Sequence, residues 1–154
     1  MFPDPSIRML GVEGDLPVRR RILFVDDEQA ILAGLERLLR RDRSRWDMVF
    51  ALGGQRGLDE VRKQPFDVVV SDLGMPGISG TAMLNAIGNE YPATALIAFS
   101  GLDDCETVVR TIPMVGRVLT KPCDVATLRD AIETSAQEHL VDQTVLVDRP
   151  GHRC

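Results

Sequence analysis

The chain has 154 residues, 44% of them hydrophobic and 27% charged, which fits one globular domain with a single buried core. Its formal net charge of −5 provides no general basic field, so a nucleic-acid-binding role has no electrostatic support. Three widely spaced cysteines, with no CxxC pair or Cys/His cluster, indicate neither a disulfide framework nor a zinc site, and reduced thiols are expected. Nowhere do about 18 apolar residues follow one another, so no membrane span is expected. The Pro- and acid-bearing start does not resemble a signal peptide, and a cytoplasmic location is expected.

Residues 1–18 mix Pro, Gly and acidic residues without periodicity and read as a mobile extension before a domain over 19–140. The apolar run Ile22–Val25 stops at Asp26-Asp27, as a buried strand does when its end emerges into a polar site. Ile31, Leu32, Leu35, Leu38 and Leu39 then recur at helical spacing, which predicts an amphipathic helix over about 28–41. Arg37, Arg40, Arg41, Arg43 and Arg45 read as the solvated face and end of that helix. Trp46 to Leu52 predicts a second strand, and Gly53-Gly54 breaks the chain before a helix carrying Leu58 and Val61.

β-branched residues dominate the run Phe66–Val70, the clearest strand of the sequence, which ends at Ser71-Asp72. Pro76, Gly77 and Gly80 punctuate a loop, and a helix follows over about 81–90. Ala95–Phe99 predicts a fourth strand ending at Ser100-Gly101, followed by a short helix over about 103–111. Val115–Thr120 predicts a fifth, ending at Lys121-Pro122. Asp124 can cap a last helix with Leu128, Ala131, Ile132 and Ser135 along one side. Residues 141–154 either extend that helix or form a tail. Five apolar strands alternating with five helices require crossover connections, hence a parallel α/β sheet covered on both faces.

In open parallel sheets the functional site lies beyond the carboxyl ends of the strands. Those ends bear Asp26 and Asp27, Asp72, Ser100 and Lys121. Each group alone reads as well as a turn residue, a cap or a surface side chain. Together they collect three carboxylates, one hydroxyl and one ammonium. Carboxylates so gathered repel one another unless a cation compensates, and Mg²⁺, with its preference for a few carboxylates, waters and a phosphate oxygen, suits the set. The ensemble suits phosphoryl transfer onto Asp72 as nucleophile, with Ser100 and Lys121 as partners for phosphoryl oxygens.

The segments Ile22–Glu28, Val68–Gly77 and Leu119–Pro122 resemble the signature blocks of response-regulator receiver domains, over about residues 20–140. The resemblance implies a flavodoxin-like doubly wound fold with strand order 2-1-3-4-5. It implies a Mg²⁺ site at Asp26 and Asp27, phosphorylation of Asp72 and a metal contact from the backbone carbonyl of Gly74. It gives Ser100 the part of the switch hydroxyl and Lys121 that of the phosphoryl-contacting lysine. A sensor histidine kinase or phosphotransfer protein is the implied donor. An output domain or downstream protein is the implied recipient, with a homodimer through the helix 4–strand 5–helix 5 face as a further association. Neither nucleic-acid nor membrane binding is expected of the domain itself, which serves as a signalling domain rather than an enzyme.

Two positions depart from the family pattern. Val118 stands where the family carries an aromatic three residues before the lysine, and Gly74 lacks a side chain at a position that often tunes dephosphorylation. The stretch Gly116–Cys123, before a long last helix, also resembles receivers that precede HD-type cyclic-di-nucleotide phosphodiesterase domains. No such output domain is legible in these residues, so a stand-alone receiver or part of a longer regulator is expected. Two alternatives remain in view. One is a pseudo-receiver that binds partners without phosphate control. The other is a haloacid-dehalogenase-type phosphatase, whose two aspartates one residue apart are not matched by Asp26-Asp27-Glu28.

Overall fold

The computed structural model describes residues 19–145 except Pro76 and 102–104, with side chains up to Glu138. The expected extension over 1–18 and the last nine residues of the expected tail lie outside them. Five strands form one parallel sheet: β1 (Arg20–Asp26), β2 (Trp46–Leu52), β3 (Val68–Asp72), β4 (Ala95–Ser100) and β5 (Val115–Thr120). Their order is β2-β1-β3-β4-β5, as the family resemblance implied. The five helices are α1 (Gln29–Leu38), α2 (Gly54–Lys63), α3 (Gly80–Glu90), α4 (Cys105–Thr111) and α5 (Val125–Val145). Among the described residues no helix is long and apolar enough to cross a membrane.

Successive strand residues alternate between the two faces, and both faces are apolar because both are covered. Leu23, Val25, Val69, Leu96 and Ala98 join Leu58 and Val61 of α2, Met83, Leu84 and Ile87 of α3, Val108 of α4 and Ile112 just after it in one core layer. Ile22, Phe24, Val68, Val70 and Ile97 join Leu32 of α1 and Leu128, Ala131, Ile132 and Ala136 of α5 in the other. Strand β5 breaks the alternation. Leu96 pairs with Val115 but Ile97 pairs with Arg117, so Gly116 is an extra residue in a β-bulge. That bulge brings Val115 and Val118, three apart, onto the same α4-facing layer.

The predicted first helix ends early. At Leu38 the chain passes into a 3₁₀ turn over Arg40–Ser44, because Leu39 is fully buried and Asp42 turns inward. Asp42 is only 5% exposed and holds two guanidinium groups. Arg45 donates to it at 2.7 and 3.0 Å, and Arg129 of α5 donates at 3.1 Å to each carboxylate oxygen. Arg45 also pairs with Glu133 of α5 and lies over the Trp46 ring. Arg45 is therefore a fastening of α5 to the α1–β2 connection, and not merely part of a solvated helix face.

The third strand starts at Val68, two residues later than the apolar run. Phe66 lies under the Arg21 guanidinium, and the Asp67 carboxylate accepts from the Arg21 amide at 2.8 Å. Asp124 caps α5 as expected, accepting from the Thr127 amide at 2.7 Å, and Leu128, Ala131, Ile132 and Ser135 are all buried. Cys123 is a free thiol, half-buried just before the start of α5.

Burial raises the pKa of Asp42, but the hydrogen bonds and charges of Arg129 and Arg45 outweigh it and hold the carboxyl below its ordinary 3.8. A depressed carboxyl pKa gives stability that is complete above the ordinary value and lost as pH falls through the folded one. Replacing Asp42 by Ala should cost about 2 kcal/mol at pH 7, the scale of hydrogen bonds to charged groups, since both arginines can still reach water. Denaturant titrations of the two proteins should show that gap constant above about pH 4 and closing in stronger acid. A gap that does not respond to acid would place the loss in packing instead.

Candidate functional site

Parallel register brings the site together. Val25 of β1 pairs with Ser71 of β3, so Asp26 and Asp72 close adjacent strands one step further on. Ser100 ends β4 opposite Thr120 of β5, which places Lys121 immediately beyond. Three backbone bonds fix these strand ends: Gly53 N–H to Asp26 O at 2.8 Å, Leu73 N–H to Phe99 O at 3.3 Å, and Lys121 N–H to Ser100 O at 2.8 Å. The peptide between Lys121 and Pro122 is cis.

Asp26, Asp27 and Asp72 each offer a carboxylate oxygen within 4.8 Å of the others. Nζ of Lys121 donates to Oδ1 of Asp72 at 2.7 Å. Asp26 is buried, and its Oδ1 accepts from the Glu28 amide at 3.0 Å. Burial first, then the charge of Asp72, lifts the Asp26 carboxyl above its ordinary 3.8, although the Glu28 amide and Lys121 act the other way. Burial disfavours the Lys121 ammonium, but its bond to Asp72 and the charges of Asp72, Asp26 and Glu28 outweigh that and raise its pKa. One ammonium thus faces three carboxylates and a nearby glutamate. An unbalanced set of hard oxygen donors at this spacing fits a divalent cation.

All seven positions singled out from the sequence are placed. Asp26, Asp27, Asp72, Gly74, Ser100 and Lys121 line one cleft of about 600 Å³. Val118 does not line it; it is buried in the core layer beneath α4. Sequence reasoning missed Thr81 of α3 and Thr107 and Thr111 of α4, which complete the wall. Nothing in their local pattern signals this, because helix docking brings them to the cleft.

A doubly wound parallel sheet with an acidic cluster at its topological switch point, and a lysine from the end of the edge strand β5 reaching into it, defines a class of α/β domains that bind their ligands at the strand ends. The family model "Response regulator receiver domain" matches residues 22–133, and the chain belongs to that family. It is 33% identical over 146 residues to the transcriptional regulatory protein PrrA of Mycobacterium leprae, covering 86% of this chain and 61% of PrrA. The chain therefore spans about three fifths of that relative. Its fold superimposes on the signal receiver domain of an HD domain-containing protein from Pseudomonas fluorescens Pf-5 with a TM-score of 0.73 and 26% identity, covering 80% of this chain and 99% of that one. A structure described as adenylate cyclase from Rhodopirellula baltica gives a TM-score of 0.74 at 27% identity, covering 82% and 94%.

A carboxyl whose pKa is raised on folding destabilises the fold once it ionises, so this contribution worsens as pH climbs from 3.8 through the folded value. Asp26→Asn should therefore raise the thermal midpoint of metal-free protein by a few degrees at pH 7 and lose that advantage below the ordinary aspartate range. Calorimetric scans in a chelating buffer at pH 7 and pH 3 check this; an equal or lower midpoint for the variant at pH 7 would contradict it.

Proposed function

We propose that the chain is a phosphorylation-controlled switch of a two-component system, in which Asp72 accepts a phosphoryl group from a sensor histidine kinase or phosphotransfer protein. The observation that carries this reading is the gathering of Asp26, Asp27 and Asp72 within 4.8 Å beside Lys121, whose ammonium lies 2.7 Å from the Asp72 carboxylate. Mg²⁺ would be held by Asp26, Asp27 and Asp72 with the backbone carbonyl of Gly74. When bound it supplies the positive charge that lets an anionic donor approach three carboxylates.

A carboxylate oxygen of Asp72 attacks phosphorus as the bond from phosphorus to the donor's leaving group breaks, and an acyl phosphate forms. Lys121 exchanges its bond to Asp72 for one to a phosphoryl oxygen, which keeps a positive charge on the group throughout. Ser100, buried at the end of β4, supplies a hydroxyl to another phosphoryl oxygen. The added charge of about −1.5 to −2 is what the domain responds to.

The response passes through α4. Val118 is β-branched, stiff at χ1 and already buried in the layer of Val108 and Ile112, so it has no room to swing as a switch. Movement of Ser100 therefore shifts the segment after β4 and the seven-residue α4. The face of α4, β5 and α5 then biases self-association or binding of an output domain or downstream protein. Receivers among the similar proteins belong to a transcriptional regulator and to an HD domain-containing protein, so the output is set by what this face meets. A cytoplasmic location accords with this role, and nucleic-acid contact would fall to a partner.

Acetyl phosphate with Mg²⁺ should add one hydroxylamine-labile phosphoryl group, seen by mass spectrometry, and Asp72→Asn should abolish it. Undiminished labelling of that variant would move the nucleophile elsewhere. Beryllofluoride, a phosphoryl mimic, should perturb backbone amide shifts across 105–118 as well as those beside Asp26, Asp72 and Lys121. Shifts confined to the three strand ends would instead favour a pseudo-receiver.

A further inference from the structure

Two glycines bracket the segment that carries Asp72, and neither is needed for a left-handed backbone conformation. Gly80 opens α3 directly behind the end of β3. A Cβ there would lie 2.0 Å from the Asp72 carbonyl oxygen and 2.7 Å from Cα of Leu73. Gly54 opens α2, where a Cβ would lie 2.5 Å from the carbonyl oxygen of Ile78 and 3.1 Å from its Cγ2. Both obstacles are backbone, which cannot turn aside as the end of a side chain can.

The backbone between the two contacts is tied at each step. Ser79 caps α3, its hydroxyl accepting from the Ala82 amide at 3.1 Å. The Gly80 amide donates to the Leu73 carbonyl at 3.2 Å, and the Leu73 amide to Phe99. A side chain at Gly54 has to drive the Ile78 carbonyl back by about 1 Å to reach ordinary contact at 3.4 Å. Ile78 is joined to Gly80 through Ser79 alone, and Gly80 already rests on the Asp72 peptide. The displacement therefore arrives at Asp72 and Leu73.

We infer that Gly54 is a positioning residue for the phosphoacceptor: its bare Cα is the stop against which Ile78, Gly80 and hence Asp72 are set. This rests on the reading of Asp72 as phosphoacceptor. Misplacing a reacting group by about 1 Å costs up to about a hundredfold in rate. Gly88, near the end of α3, supplies the control. A Cβ there would meet Cβ of Met114 at 2.9 Å and Cδ1 of Leu96 at 3.3 Å, core side chains toward the opposite end of the strands from Asp72.

The test compares Gly54→Ala and Gly88→Ala in the full chain. Thermal midpoint, Mg²⁺ affinity by calorimetry without donor, and initial phosphorylation rates over a range of acetyl phosphate are measured for each. Gly54→Ala is expected to lower the maximal rate and weaken Mg²⁺ binding, each about tenfold or more relative to Gly88→Ala, at a comparable midpoint. Equal rates and equal Mg²⁺ affinities for the two folded variants would overturn the inference. If Gly54→Ala does not fold alone, adding Ile78→Gly frees that backbone to retreat, and the folded double variant is expected to remain slow against Ile78→Gly alone; parity between those two also overturns it. Failure of the phosphoacceptor reading looks different, since wild-type protein would then take no label or Asp72→Asn would keep it.

Discussion

Three carboxylates at the ends of two adjacent strands, answered by a single ammonium, are the constraint on which the rest of this structure depends. Asp26 is buried, so its charge cannot be spread into water, and folding raises its pKa instead. The 2.7 Å contact from Lys121 to Asp72 compensates one carboxylate and leaves the others short of positive charge. Such a site is held in place by the apolar layers beneath it rather than by its own contacts. Fully buried Ile22, Leu23, Val68 and Val69 anchor β1 and β3 a few residues below. A cluster of carboxylates that costs stability is for the same reason receptive to a cation.

Above and around the site, firmness is uneven. Helix α5 is fastened at Arg129 and Glu133 to the Asp42 turn and at Glu138 to Arg117 of β5. Helix α4 is the shortest of the five; Val108 is its buried anchor, Ile112 just beyond its end is buried too, and Asn85 donates a side-chain bond to the Thr111 carbonyl. Among the described residues α4 buries Val108 alone, as α1 buries Leu32 alone, so both are lightly anchored beside the more firmly packed α2, α3 and α5. The bulge at Gly116 matters here because it turns Val118 toward α4 and away from α5.

Close backbone approach complements these charges. The start of α3 presses on the Asp72 peptide and the start of α2 on Ile78, and glycine permits both contacts. The acidic cluster is thereby set by distances between main chains, which vary less than side-chain rotamers. Charge creates the need for a bound cation, while packing sets how well its oxygen ligands are prearranged.

Much was legible in the sequence because the relevant signals are local. A β-branched run such as Val68–Val70 reads as a strand wherever it occurs, and a parallel alternation of strands and helices sends every strand's carboxyl end to one edge. Asp26, Asp72, Ser100 and Lys121 could therefore be grouped before any geometry was known. What only the tertiary structure decided depends on partners remote in the chain. The inward turn of Asp42 required Arg129, 87 residues away. Phe66 falls outside β3 although its apolar neighbours suggested otherwise, and Val118 faces α4 because of a register shift invisible in a one-dimensional pattern. Thr81, Thr107 and Thr111 reach the cleft through helix docking, and the close approach of Gly54 to Ile78 comes from the start of α2 meeting the loop before α3 in space. Local propensity and periodicity specify elements and their ends, whereas contacts between elements depend on how the sheet and helices pack.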